Sequence, residues 1–212
     1  ALLVATTVNY TGAGAPYVWD WRRDAYTRLG AHDLIVGAHD IQWAYGATAG
    51  STPDEFWTPG PTVKWGCTVN MNLTKVDAAT GGVTHNLRLP GGACSIDVNH
   101  AQLLDEDRSA FLSLRAVSSL AWYDLDSANP DGGAQRWLIG GDDGEWAVVD
   151  SLRGRSYPAG TTVWAYQHNA EYIGDDEVAM YDNLGLGNES RCLIIELNAT
   201  AKTATLVWEH KM

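Results

Sequence analysis

The sequence predicts an all-β chain, and three observations carry that prediction. Apolar residues come in short runs rather than at helical spacing, the runs are rich in β-branched and aromatic side chains, and Gly, Asp, Asn or Pro bounds them. That is the signature of strands joined by turns. The aromatic balance points the same way: ten Trp and nine Tyr stand against two Phe. Indole and phenol rings favour half-buried strand positions, where the polar edge can reach a partner. Cross-strand packing or an aromatic-lined pocket would use them.

In chain order the runs are Val18-Trp19-Asp20-Trp21, Ala110-Phe111-Leu112-Ser113-Leu114, Leu120-Ala121-Trp122-Tyr123, Trp146-Ala147-Val148-Val149 and Leu193-Ile194-Ile195-Glu196-Leu197. Each is long enough for a strand and too short for a helix. The one stretch of helical composition, Asp105 to Ser109, is too short to nucleate a helix of consequence.

Three stretches share one plan: "TKVDAATGGVTHNLRLPG" (Thr74–Gly91), "AWYDLDSANPDGGAQRWLIGG" (Ala121–Gly141) and "IIELNATAKTATLVWEH" (Ile194–His210). Each is an apolar strand closing on Asp or Asn, a turn of small residues, and a second strand that twice carries Trp. Units of about 40–50 residues with several short strands have the size of propeller blades. About fifteen strands make roughly four blades. Four are few for closing a ring, so the expectation is a β-propeller of four-stranded blades that is partial, a piece of a longer ring of about six blades. No linker or low-complexity segment interrupts the chain, which predicts one domain over residues 1–212.

The net charge of −12 and a pI near 4.7 are poorly suited to holding a phosphate backbone by counterion release, so no nucleic-acid partner is expected. Anionic membranes are disfavoured on the same ground. No apolar run reaches the roughly 18–20 residues of a membrane span, and Ala1-Leu2-Leu3-Val4-Ala5 lacks the basic flank and length of a signal peptide. The chain begins without Met, which predicts a processed or partial product.

Three cysteines, Cys67, Cys94 and Cys192, suggest one disulfide and one leftover thiol. Loop length favours Cys67 with Cys94. Four Asn-X-Ser/Thr sequons, at Asn9, Asn72, Asn188 and Asn198, point to a secreted, extracellular glycoprotein. Asp124, Asp126 and Asp131 could offer oxygen ligands, but their spacing is not that of the standard calcium loop. They read as a solvated turn, and no metal is expected. With no phosphate-cradling loop and no serine nucleophile elbow, no cofactor is expected either.

Residues Asp97 to His210 resemble the arylsulfotransferase family of β-propellers, in its eukaryotic and fungal-type branch. The likeness rests on an ordered series: "DVNHAQLLDEDRSAFLSLRAVSSLAWYDLD" (Asp97–Asp126), "QRWLIGG" (Gln135–Gly141), "YQHNAEYIGDDEVAMYDN" (Tyr166–Asn183) and "SRCLIIELNATAKTATLVWEH" (Ser190–His210). "GAHDIQW" (Gly37–Trp43) is similar to the family's early His-Asp strand. Three positions depart from the family pattern. Gln102 stands two residues after His100 where Asn is common, and Ala116 and Val117 follow Arg115 where another histidine is frequent. The family continues into a further blade where this chain stops, in keeping with a partial propeller.

The resemblance implies sulfuryl transfer from an aryl sulfate to a phenol through a histidine-bound intermediate. Such chemistry needs a neutral imidazole whose second nitrogen is held by a partner, and cationic or N–H groups facing the sulfuryl oxygens. Carried over by motif, His168 is the nucleophile, His100 and Arg115 bind sulfuryl oxygens, and His39 is a further member. Arg191 and the pair Asp182-Asn183 are expected to brace strand ends. The other reading is a non-catalytic propeller in an extracellular assembly, with a protein partner covering its open edges.

Overall fold

The computed structural model of the chain describes residues 2–7, 13–29, 36–37, 40–45, 54–59, 63–64, 67–68, 72–89, 97–126, 133–185 and 189–212. The chain is all-β, and three of the sheets among its described residues have the four strands of a propeller blade. Among the described residues the one helical element is a single 3-10 turn, η1 (Arg115–Val117). The Asp105–Ser109 stretch forms no helix. Asp105, Glu106 and Asp107 all take positive φ, at 52°, 59° and 62°, and so make a turn between strands.

The first sheet holds β1 (Leu2–Thr7), β2 (Ala13–Asp20), β3 (Ala25–Arg28) and β4 (Val36–Gly37). Strand β2 is central, pairing antiparallel with the other three. At the β2–β3 turn the Trp19 indole donates to Asp24 Oδ1 at 3.2 Å and stacks on Tyr26 with centroids 5.9 Å apart.

The second sheet, in order β10-β9-β6-β5, joins β5 (Gln42–Trp43), β6 (Glu55–Pro59), β9 (Asn72–Asp77) and β10 (Val83–Arg88). The short hairpin β7 (Val63–Lys64) and β8 (Cys67–Thr68) lies between β6 and β9 in sequence. The β9–β10 turn is the first repeat: Asp77 Oδ1 accepts from Thr80 N at 2.6 Å, Thr80 Oγ1 at 2.7 Å and Ala79 N at 3.1 Å. An aspartate closing a strand thus supplies the turn's acceptor. Phe56 on β6 and Val76 on β9 are register partners and enter one core with Leu29 and Ala78. Full burial of an aliphatic or aromatic side chain of this size contributes about 1.5–3 kcal/mol.

The third sheet has the order β11 (Val98–Leu104), β12 (Ser109–Leu114), β13 (Ser119–Leu125), β14 (Gly133–Ile139). Every residue of β12 is buried. The fourth sheet runs β16-β15-β20-β19-β18-β17, from β15 (Ala147–Asp150), β16 (Arg155–Tyr157), β17 (His168–Gly174), β18 (Glu177–Asp182), β19 (Arg191–Asn198) and β20 (Thr203–Lys211). Strands β17 to β20 form one antiparallel meander. The β15–β16 hairpin widens it to six strands because β15 pairs parallel with β20, from Ala147↔Thr203 to Asp150↔Leu206.

The chain divides into two compact units, Ala1–Ala110 with Asp124–Ala134 and Phe111–Tyr123 with Gln135–Met212. Phe56, Leu73 and Leu87 are among the largest fully buried side chains of the first, and Phe111, Leu120, Ile139, Trp164, Ile195 and Leu206 of the second.

Candidate functional site

In the second unit the segment Tyr166-Gln167-His168-Asn169 is pinned by its glutamine. Gln167 is 0% exposed, and its Nε2 donates to Ser119 O at 2.9 Å and to Ser113 Oγ at 3.3 Å. Its neighbours take the strained side of backbone space, with φ of 51° at Tyr166 and 48° at Asn169. A bulky ring in the left-handed region costs about 1–2 kcal/mol and persists only where the surroundings over-determine it. Here Tyr166 N donates to Ser118 Oγ at 3.3 Å, and the Arg115 guanidinium lies 5.3 Å from the ring centroid. Tyr166 is nevertheless 42% exposed, so an aromatic face and a cation reach the surface together.

His168 opens β17 and is half-buried. Its Nδ1 lies 3.1 Å from the Tyr166 carbonyl oxygen and 2.8 Å from Asn183 Nδ2. These contacts make opposite demands. A carbonyl only accepts, so it requires Nδ1–H and leaves the lone pair on Nε2. An amide nitrogen only donates, so it requires a bare Nδ1 and puts the proton on Nε2. The first tautomer presents a nucleophilic nitrogen at Nε2, and the second does not.

The same unit holds a buried charge network. Arg191 is 1% exposed and Asp182 0%, and Arg191 Nε donates to Asp182 Oδ2 at 2.9 Å. Arg191 also reaches Glu209 Oε2 at 2.7 Å and the Val163 carbonyl, while Asp182 Oδ1 accepts from Ala165 N at 2.9 Å. The expected bracing of strand ends is therefore present: an ion pair holds the 163–165 segment onto β18 and β19. Glu209 also takes Arg153 Nη2 at 2.5 Å, and Arg153 Nη1 lies 3.1 Å from Asp150 Oδ2.

Burial alone would push the Glu209 carboxyl up. The hydrogen bonds from Arg153 and Arg191 outweigh that and hold it below its ordinary value of 4.5. A carboxyl depressed in the folded state stabilises fully above its unfolded value and loses that contribution as pH falls through the folded value. Unfolding free energy is therefore expected to decline as pH drops below about 4.5, and less so in Glu209→Gln. Urea titrations of both proteins between neutral pH and about pH 3 check this; equal acid sensitivity would contradict it.

In the first unit His100, buried on β11, places Nδ1 3.2 Å from Asp40 Oδ2. The same carboxylate oxygen accepts from Ala101 N at 2.8 Å. Asp40 is the third residue of the Ala-His-Asp motif; His39 lies outside the described residues. Of the sequence candidates, Arg115 and His168 are joined through Tyr166 in the second unit, and His100 pairs with Asp40 in the first. Sequence reasoning missed Tyr166 and Asp40 as partners. Their signal was adjacency alone, in Tyr-Gln-His and Ala-His-Asp.

Asn198 is exposed at the β19–β20 turn, where its Oδ1 accepts from Ala201 N at 2.9 Å, and Asn72 is half-buried on β9. Asn9 and Asn188 lie outside the described residues, as does Cys94, so the Cys67–Cys94 pairing does too. Cys192 is a free, half-buried thiol. No group of three or more His, Cys, Asp or Glu among the described residues is arranged to hold a metal ion. No helix among them is long and apolar enough to cross a membrane.

The chain is thus a β-propeller-type protein by its sheets. No family model matches it, and no curated protein matches it. Among solved structures it is similar to Kluyveromyces lactis Hsv2 at 12% identity and TM-score 0.42, with 98% of this chain and 61% of that one covered. A candidate 6-phosphogluconolactonase from Bacteroides fragilis is similar at 10% identity and TM-score 0.40, over 94% of this chain and 64% of that one. A Lactobacillus plantarum protein is similar at 11% identity and TM-score 0.41, over 94% and 65%. The chain spans less than two thirds of the length of each.

Proposed function

We propose that the chain is an arylsulfotransferase-like, secreted glycoprotein forming one incomplete propeller domain over residues 1–212, with His168 as the group that carries the sulfuryl. The observation that supports this most is the Tyr166 carbonyl 3.1 Å from His168 Nδ1, which suits the tautomer with its lone pair on Nε2. Nε2 attacks sulfur, the sulfur–oxygen bond to the aryl group breaks, and the aryl oxide leaves and takes a proton. An acceptor phenol then attacks the same sulfur, the nitrogen–sulfur bond breaks, and the phenol's proton is lost. Arg115, held over Tyr166, is the cation for the sulfuryl oxygens. Sequons at Asn9, Asn72, Asn188 and Asn198 support the extracellular setting.

One observation favours the non-catalytic alternative. Asn183 Nδ2, 2.8 Å from His168 Nδ1, suits the tautomer that cannot attack. In that reading the protein is a binding module whose open edges take a protein partner.

Intact-mass measurement after brief exposure to nitrophenyl sulfate separates the two. The wild-type chain is expected to gain one sulfuryl group and release nitrophenol, and His168→Asn, shown to be folded, to do neither. Folded wild-type protein that gains no group and releases no phenol refutes sulfuryl transfer.

A further inference from the structure

The structure assigns a second site, independent of His168: a saccharide-binding cleft walled by indoles at the far end of β17. Tyr172 lies four residues beyond His168, roughly 13 Å along the strand. It meets Trp122 edge-on at 5.3 Å, and Trp122, Trp137 and Trp146 continue as a row with centroids 5.6 and 5.4 Å apart. These rings line a cleft of about 440 Å³ with Arg136, Glu145, Asp176 and Lys202, inside the range of roughly 300–1,000 Å³ typical of small-molecule sites.

Three features select the ligand class. First, the rings stand at tilts of 48° and 83° to one another, so they form walls and edges rather than a parallel slot for a planar aromatic. Second, the charged groups are balanced. Lys202 Nζ lies 3.5 Å from Glu145 Oε2, and the Arg136 guanidinium 5.6 Å from the Trp122 centroid. With two bases and two acids, the lining does not select a strongly charged ligand. Third, the indole N–H groups of Trp122 and Trp146 are buried with no acceptor among the described residues. An unsatisfied buried donor is costly, and a hydroxyl-bearing ligand supplies acceptors to both after a small rotation of the rings.

A neutral pyranose meets all three conditions. Its C–H faces pack on aromatic walls, its hydroxyls both donate and accept, and Glu145, Asp176, Arg136 and Lys202 provide acceptors and donors around it. A phenol or aryl ester would pack on the rings but offer that polar lining only one or two polar atoms.

Saturation-transfer NMR on the full chain tests the assignment, with the methyl pyranosides of glucose, galactose, mannose and N-acetylglucosamine and with nitrophenol as probes. Transfer to the ring C–H protons of at least one pyranoside is expected. Trp122→Phe, which keeps a packed ring and removes the N–H, is expected to weaken that sugar roughly five- to tenfold. Ala199→Trp, a change at an exposed position on the cleft wall, is expected to abolish transfer without disturbing the core. No transfer from any pyranoside to folded protein, transfer from nitrophenol alone, or sugar binding unchanged in both variants would each overturn the saccharide site.

Discussion

Replacing Arg191 by methionine is expected to lower the unfolding free energy by about 3–5 kcal/mol, the largest effect of any single change in the second unit. The cost is not the loss of one attraction. Asp182 is 0% exposed, so removing the guanidinium leaves a carboxylate with no countercharge and no water. The Val163 carbonyl loses its donor, and Glu209 keeps only Arg153. Urea denaturation at neutral pH measures the change, and a loss below about 1 kcal/mol would place this pair with surface ion pairs. The double variant Asp182→Leu with Arg191→Met is expected to lose less than the two single changes added together, because it removes both charges at once. Gly185 gives an independent route to the same weak point. A Cβ there would collide with Asp182 Oδ2 and the Arg191 guanidinium, so Gly185→Ala must push the pair apart.

This network shows what could be read from the sequence and what could not. Serine-arginine at the head of β19 and Asp-Asn at the end of β18 are visible as a bracing pattern, since charged residues at strand ends commonly satisfy nearby backbone. The third member, Glu209, lies in an alternating run near the end of β20 and announces nothing. It joins because β19 and β20 pair in a register that sets Leu193 opposite Glu209 and Arg191 opposite Lys211. The hairpins were legible for a local reason: Asp77 and Asn198 cap their own turns through contacts of two or three residues. The parallel pairing of β15 with β20 was not, because it joins segments more than fifty residues apart through backbone groups that carry no sequence code. The excess of Trp was legible only as a choice between strand packing and a lined pocket. The row from Trp122 to Trp146 is both, buried on the side of Phe111 and open towards Arg136 and Lys202. For His168 the sequence offers a candidate, and the fold adds what touches its Nδ1.

Gly141→Ala is the second large effect expected, roughly 2–4 kcal/mol of lost stability, and it tests how the site is held. Gly141 has φ of +65°, a conformation that by itself costs an L residue about 1–2 kcal/mol. Its Cβ would also strike the Val117 carbonyl and the Ser119 hydroxyl. Those are not idle neighbours. Val117 ends η1, the turn that begins with Arg115, and Ser119 Oγ donates to the Gly140 and Val117 carbonyls at 2.9 and 3.1 Å. Ser119 O in turn receives Gln167 Nε2, the anchor of the His168 segment. Gly154 supplies the control, since it has φ of +64° and nothing within 4 Å of an added Cβ. Gly154→Ala therefore bears the conformational cost alone, about 1–2 kcal/mol, and the difference between the two variants in urea reads out the collision. If Gly141→Ala proves as mild as Gly154→Ala, the η1 turn yields to the added methyl at little cost. The left-handed Tyr166 would then be held by Gln167 and Ser118 rather than by a rigid Gly140-Gly141 bend after β14.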